Sequence, residues 1–262
     1  MSIVSFRKTD FIPTQQATFL QQKLVIAVDG PAASGKGTLA KKLADRLGYA
    51  YLDTGSLYRA VAMAVLEIGA DPTQYAEVAP ALEIIKRNLT PELLANPALR
   101  SPAVSETSSK VAAIPEVREA LLEYQREFAK NPPGFVGGVV LDGRDIGTVV
   151  CPEADIKFFV TASVEERAKR RYAELAEKHA DITFEKVLED LKTRDLRDQS
   201  RKIAPTLAAE DAYILDTTGL NPAETLDEAI AVIRSRFVSE TNDNGSARAK
   251  AAENREKLAI EA

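Results

Sequence analysis

The sequence predicts a three-layer α/β fold, a parallel sheet covered by helices on both faces, with a mostly helical insertion and a helical lid. Three observations predict it. Short apolar, β-branched runs alternate with stretches of helical periodicity, the pattern of a doubly covered parallel sheet. A proline-punctuated helical stretch without a convincing core strand separates the second run from the third. A charge-dense helical stretch separates the fourth run from the last.

Taken in order, residues 1–22 mix Arg7, Lys8, Asp10 and several glutamines and read as a flexible leader without a secretory apolar core. Residues 24–28, Leu-Val-Ile-Ala-Val, read as a buried strand that ends at the turn signal Asp29-Gly30-Pro31. From Lys36, the residues Leu39, Ala40, Leu43, Ala44 and Leu47 share one helical face, and Gly48 is a natural stop. A second strand fits residues 49–52. Residues 60–129 read as helical, broken by Pro72, Pro80, Pro91, Pro97, Pro102 and Pro115. Strands return at 138–141 and 156–160. Residues 163–200 read as helical with a break near His179-Ala180-Asp181, a last strand fits 213–215, and a helix over 223–237 closes the domain. The Ala/Glu/Lys/Arg-rich residues 239–262 read as a flexible tail. The expected division is a discontinuous core at 23–62, 135–170 and 202–238, an insertion at 63–134 and a lid at 171–201.

The 262 residues suffice for one large core carrying smaller inserted domains. A formal net charge of −5 provides no global basic field for nucleic acid or an anionic membrane. An anionic ligand must therefore be held by a local cluster of cations. The single cysteine, Cys151, excludes an internal disulfide and suits a reducing, cytoplasmic location. No apolar run approaches the ~20 residues of a membrane span. His179 is the only histidine, so histidine metal clusters are excluded, and no Ser-His-Asp or Cys-His relay can be assembled around Cys151. Small-molecule partners and a monomer are expected, with no nucleic acid and no membrane.

The strongest motif is Gly30-Pro31-Ala32-Ala33-Ser34-Gly35-Lys36-Gly37-Thr38, between the first strand and its helix. Glycines let backbone N–H groups turn inward around an anion, and the helix N-terminus adds partial positive charge. Lys36 brings a full charge to the β- and γ-phosphates of a nucleoside triphosphate. This is a P-loop, with one departure. Position 37 is Gly where the strict motif has Ser or Thr, and the hydroxyl comes at Thr38. The expected core is thus a P-loop NTPase core, with ATP on residues 30–38. The Asn-Lys-x-Asp signature of guanine binders is absent.

Two further strand ends carry arginine. Asp53-Thr54-Gly55-Ser56-Leu57-Tyr58-Arg59 follows the second strand, and Asp142-Gly143-Arg144-Asp145 follows the third. Alone, Arg59 reads better as a surface ion pair. Together, two such loops fit one dianionic phosphate between two guanidinium forks. Asp142 ends an apolar strand as a Walker-B acid does: it either holds Mg²⁺ through water, with Thr38, or orients the loop.

These segments, with Val111-Ala112-Ala113-Ile114-Pro115-Glu116-Val117-Arg118, Asp142 through Val150, and Arg194-Asp195-Leu196-Arg197-Asp198 with Arg201, occur in an order that resembles the bacterial cytidylate kinases over residues 23–237. The resemblance implies an NMP-binding insertion and transfer of the ATP γ-phosphate to CMP or dCMP, with Mg²⁺. It implies Thr54, Arg59 and Arg144 around the acceptor phosphate. It implies Ser109, Arg118 and Asp145 at cytosine, Arg194 and Asp198 near the ribose, Arg201 facing the phosphates, and Arg100 helping to close the insertion. Lys36, Arg144 and Arg201 are the expected catalytic residues. The base assignment is chemically sound. A carboxylate accepts from cytosine N4 and an arginine donates to N3 or O2, and a good paired contact discriminates bases by ~1–3 kcal/mol.

The charged stretch 163–202 reads as a lid that folds over ATP and excludes water, with its tip near Glu177, Lys178, His179 and Asp181. Arg167, Arg170 and Arg171 are the candidates to touch phosphate, and the sequence does not choose among them. A phosphate monoester has its second pKa at about 6, so the attacking oxygen needs no general base, in keeping with a single histidine. Two other readings stay open at this stage. One is a P-loop kinase for another acceptor, such as shikimate or a different nucleotide. The other is a nucleotide-dependent switch with slow hydrolysis and no phosphorylated acceptor.

Overall fold

A computed structural model describes residues 23–134, 136–177 and 181–236. The expected leader at 1–22, the tail at 239–262, His179 at the lid break and residue 237 of the closing helix lie outside the described residues.

Among the described residues, five parallel strands form one sheet in the order β2-β3-β1-β4-β5. They are β1 (Leu24–Asp29), β2 (Ala50–Asp53), β3 (Gly138–Asp142), β4 (Ile156–Thr161) and β5 (Tyr213–Asp216). Side chains alternate between the faces. Ile26, Val28, Val140, Ile156 and Phe158 pack with Leu39, Ala40, Leu43 and Ala44 of helix α1 (Lys36–Leu47), and with Ala229 and Ile233 of helix α9 (222–236). Ala27, Val139 and Leu141 turn the other way, toward Ile146 and Val150, with Leu122, Phe128 and Ala129 of helix α6 (Pro115–Lys130) packed alongside. The sheet is therefore covered on both faces. Gly48 ends α1 with φ 68°, and its N–H donates to the Ala44 carbonyl, as the stop signal required.

Between β2 and β3 the described chain is helical: α2 (Thr54–Glu67), α3 (Tyr75–Asn88), α4 (Pro91–Leu94), a 3₁₀ turn (Pro97–Arg100), α5 (Pro102–Val111) and α6 (Pro115–Lys130). Four of the prolines that punctuate this stretch are first residues of helical segments, where the missing N–H has no intrahelical partner to lose. Pro80 instead falls inside α3. These helices bury a core of their own, in which Leu57, Val61, Val65, Val78, Leu82, Leu99, Val111, Val117 and Leu121 meet.

After β4 come α7 (Val164–Ala176) and α8 (Phe184–Gln199), capped by Ser163 and Thr183 through their hydroxyls. Their shared apolar seam, Ala168, Leu175, Val187 and Leu191, includes Ala32 of the phosphate loop. The helix pair is thus packed directly on the phosphate loop. The apolar run Ile146–Val150, which carries no helical periodicity, forms a single π-helical turn.

Phe158 of the inner strand β4 is 1% exposed. Phe158→Ala is expected to cost about 3–5 kcal/mol through lost burial and the cavity left behind, measured as a lower urea midpoint at unchanged m-value.

Candidate active site

The register aligns the strand ends. Asp53 pairs with Asp142, and Val28 pairs with both Asp142 and Phe158, so the loops after β1, β2 and β3 leave the sheet along one edge. Ligands of parallel sheets bind at that edge.

Glycine shapes the loop after β1. Gly30 has φ 144°, and a Cβ there would lie 2.0 Å from the Val160 carbonyl oxygen, so no side chain fits. Gly35 caps α1 with φ 87°. Lys36 Nζ reaches back to donate to the Pro31 carbonyl at 3.3 Å. Burial, and next the Arg144 guanidinium, pull Lys36 below the ordinary lysine value, while Asp142 and Asp53 oppose them. An anion brought to this loop would relieve that strain on the ammonium.

The departure at position 37 has a steric cause. A Cβ on Gly37 would stand 2.9 Å from Asp142 Oδ2, so the strand-end acid occupies the space that a Ser or Thr side chain would need. The hydroxyl of Thr38 lies one position further on, exposed in the cavity wall. Asp142 itself accepts from the Tyr51 hydroxyl at 3.0 Å. Burial, then Asp53, raise its carboxyl above the usual aspartate range, with Lys36 opposing.

On the neighbouring strand end, Asp53 caps α2 by accepting from Ser56 N at 3.2 Å and holds Arg59 Nη1 at 3.2 Å. The helix starts at Thr54, so Arg59 projects from its second turn. Thr54 Oγ1 donates to the Asp142 carbonyl at 2.7 Å, locking β2 to β3. Gly143 is enclosed: a Cβ would come within 2.7 Å of Thr54 Oγ1 and 2.6 Å of Ile146 Cδ1. Only glycine leaves room for the turn that presents Arg144.

These loops face one cavity of about 1290 Å³. Single small ligands occupy pockets of about 300–1,000 Å³, so this one has room for two. Gly35, Lys36, Gly37 and Thr38 line its wall together with Arg59, Arg100, Arg144, Arg171, Arg194 and Asp142. The structure therefore brings Lys36, Arg59 and Arg144 together. Burial first, then Arg144, Arg59 and Arg201, lower the Arg194 pKa to about 9, with Asp198 opposing them.

Six expected residues lie behind that wall, bonded to one another or to backbone. Asp198 of α8 accepts from Ser109 at 2.9 Å, from Arg144 Nε at 3.3 Å and from Arg201, and faces Arg194 Nε at 3.6 Å. Burial alone would raise its carboxyl, but Arg144, Arg194, Arg201 and the Ser109 hydroxyl together hold it below the ordinary aspartate value. Arg118 pairs with Asp145, donates to the Ala112 carbonyl at 3.2 Å and lies over the Tyr58 ring at 5.5 Å. Thr54 completes the group.

The three lid arginines separate. Arg167 is buried, donating to the Ala162 carbonyl at 3.0 Å and the Ala32 carbonyl at 3.1 Å and pairing with Asp195 at 2.6 Å. Arg170 forks onto Thr217. Arg171 pairs with Glu174 at 2.9 Å and lines the cavity.

Sequence reasoning missed Asp29. It is 4% exposed and accepts from the N–H groups of Ile146 and Gly147, both at 2.8 Å, so it ties the phosphate loop to the turn behind Arg144. Burial raises its pKa to about 7 against those two donors. Its signal was an acid at the end of an apolar strand, which Asp142 also showed. Thr217 and Tyr51 were missed too; a Thr-Thr-Gly turn beyond the last strand was the visible cue for the first.

Asp198→Asn should cost about 3 kcal/mol in chemical denaturation at pH 7, because three arginines lose a buried counter-charge. The Asp198 carboxyl is depressed when folded, so its contribution is complete above about pH 4 and disappears as pH falls through the lower native value. The gap between wild type and variant should therefore narrow below about pH 4.

A family model described as cytidylate kinase matches residues 26–235. A curated relative from Paramagnetospirillum magneticum, named cytidylate kinase, is 53% identical over 212 residues, covering 81% of this chain and 98% of that protein. Similarly named relatives from Rhodospirillum rubrum and Nitrobacter winogradskyi are 51% and 49% identical, over 80% and 81% of this chain and 97% and 96% of their own.

Proposed function

This chain belongs to the cytidylate kinase family, and from that premise we propose how its residues divide the reaction. The protein is a nucleoside monophosphate kinase, a transferase that phosphorylates CMP. The observation that supports the division of labour is the single cavity lined by both the phosphate loop and the arginines.

In this reading ATP places its triphosphate in the loop Gly30–Thr38, with backbone N–H groups and Lys36 on the β- and γ-phosphates. Thr38 and Asp142 offer hard oxygen donors in the same cavity, a donor set that suits Mg²⁺, which takes one or two protein oxygens and completes its shell from phosphates and water. When bound, the ion neutralises phosphate charge. Arg59 and Arg144 take the phosphate of CMP, with Arg201 supporting Arg144 through Asp198. That phosphate is already a dianion at neutral pH, its second pKa being about 6, so no residue has to remove a proton. The residues position two polyanions and stabilise charge, which suffices for phosphoryl transfer.

Asp145 accepts from cytosine N4 and Arg118 donates to N3 or O2, with Ser109 beside them. Reading the base exchanges the Arg118–Asp145 pair for contacts with cytosine. Arg194 and Asp198 serve the ribose, where dCMP is tolerated, and Arg100 closes over the acceptor. Among the lid arginines we assign the transferring phosphoryl to Arg171, because Arg167 and Arg170 are committed to backbone and Thr217. Residues 63–134 then form the acceptor-binding insertion and 171–201 the lid. The lone thiol, Cys151, and the need for ATP fit a cytoplasmic location.

A coupled ADP-release assay across CMP, dCMP, UMP, AMP and shikimate tests the reading. CMP and dCMP should turn over well, UMP should lose about 10–100-fold in kcat/KM, and AMP and shikimate should be inert. Lys36→Ala should act on ATP use and Arg144→Ala on CMP use, each costing about 10²–10³-fold in kcat/KM. Near-normal kcat and KM for both substrates in either variant would remove that residue from the mechanism.

A further inference from the structure

We propose that Thr217, in the turn after β5, is a positioning residue for the donor nucleotide, its hydroxyl and carbonyl joining the phosphate loop and the Arg170 guanidinium into one unit. The proposal rests on the reading that residues 30–38 hold ATP.

Strand β5 is the sheet edge, and three of its four residues are exposed. Asp216 and Thr218 on either side of Thr217 are exposed as well. Between them Thr217 turns inward and is 2% exposed. Its N–H donates to the Thr161 carbonyl at 2.8 Å, which carries the β4–β5 ladder one step past the strand. Its Oγ1 lies 3.0 Å from the Ser34 carbonyl in the phosphate loop and 3.1 Å from the Thr161 carbonyl. A hydroxyl has one proton, so it donates to one of these carbonyls at a time and keeps its lone pairs for a donor. That donor is Arg170 Nη1 at 2.9 Å, while Nη2 donates to the Thr217 carbonyl at 2.7 Å. The guanidinium is thus forked on one residue, and Glu166 holds its Nε at 3.2 Å.

The fork has a defined target. A Cβ built on Gly35 would be 3.7 Å from Arg170 Nη1, so the guanidinium lies beside the phosphate loop. Three elements therefore meet on one hydroxyl: the phosphate loop, the end of β4 and the lid helix α7. The partners of Thr217 all lie on the donor side, and none of them is among the residues assigned to CMP. Loss of the hydroxyl should loosen the Ser34 carbonyl and the Arg170 fork together and be felt at ATP.

The test is calorimetric titration of Mg-ATP and, separately, of CMP into the full chain, with melting temperatures and steady-state kinetics alongside. Thr217→Val keeps the side-chain shape and removes the hydroxyl. Its Kd and KM for ATP should rise about tenfold, the scale of one charge-assisted hydrogen bond, while the Kd for CMP stays within about twofold. Thr217→Ser keeps the hydroxyl and should return ATP affinity to within about threefold of wild type. Arg170→Lys cannot fork onto two oxygens; it should show the same ATP-selective loss and carries the test if the valine variant does not fold. Unchanged ATP affinity in Thr217→Val, or in Arg170→Lys where that variant stands in for it, overturns the proposal. So does an equal loss of ATP and CMP affinity with a lower melting temperature, the signature of a purely structural role. Should wild type bind ATP but fail to phosphorylate CMP, the acceptor assignment falls, and the ATP titrations still decide the role of Thr217.

Discussion

The site hangs from the register of β2, β3 and β1, which sets Asp53 opposite Asp142 and Asp142 opposite Val28. Asp142 then stands where a side chain at position 37 would go, and its carbonyl takes the Thr54 hydroxyl. Gly143 turns in a space closed by Thr54 and Ile146. A slip of one residue in this pairing would reverse every side chain of the strand, take Asp142 away from Lys36 and leave Arg144 without its turn. The glycines at 37 and 143 answer to that closeness, while Gly30 answers to the Val160 carbonyl of β4.

Closeness also concentrates cations, and the fold answers with carboxylates. Arg59 lies on Asp53, Arg118 on Asp145, Arg167 on Asp195, and Arg144, Arg194 and Arg201 around Asp198. A chain of net charge −5 can thereby hold a strongly positive cavity without a basic surface. Unpaired guanidinium groups at this depth would be costly, so resident acids keep them in place until phosphate arrives. On the proposed reading, substrate binding would exchange these acids for phosphate, and much of the attraction to the new partner would be offset by loss of the old one. Asp198 has a second role in this arrangement, because Ser109 belongs to the helical set after β2 while Asp198 belongs to α8. Their hydrogen bond joins the two helical parts across the cavity.

Much of the fold was legible because phosphate recognition imposes local sequence. Gly30 through Thr38, Gly55 and Gly143 sit beside strand ends that hydrophobic patterning alone could place, and all five strands lie within a residue or two of their expected positions. Prolines 91, 97, 102 and 115, which first looked like interruptions, are helix starts. The π-helical turn at 146–150 was not legible, because a five-residue apolar run has no periodicity to display and its first two N–H groups are bound by Asp29, 117 and 118 residues away. Thr217 was hidden for the same reason, its phosphate-loop partner lying 183 residues earlier.

The amino-acid sequence by itself determined which chemical groups reach the carboxyl edge of the sheet: a lysine on a glycine loop, and arginines after the second and third strands. Spacing is enough for that, because a strand end and a helix start are local events. Tertiary packing decided which of those groups are free and which are held. Arg167, Arg170 and Arg171 are near neighbours on one helix and alike in sequence, yet the first is bound to the phosphate-loop backbone, the second to Thr217, and the third faces the cavity. Their fates differ because the helix turns about 100° per residue, and what each side chain meets at its angle is set by elements far away in the chain.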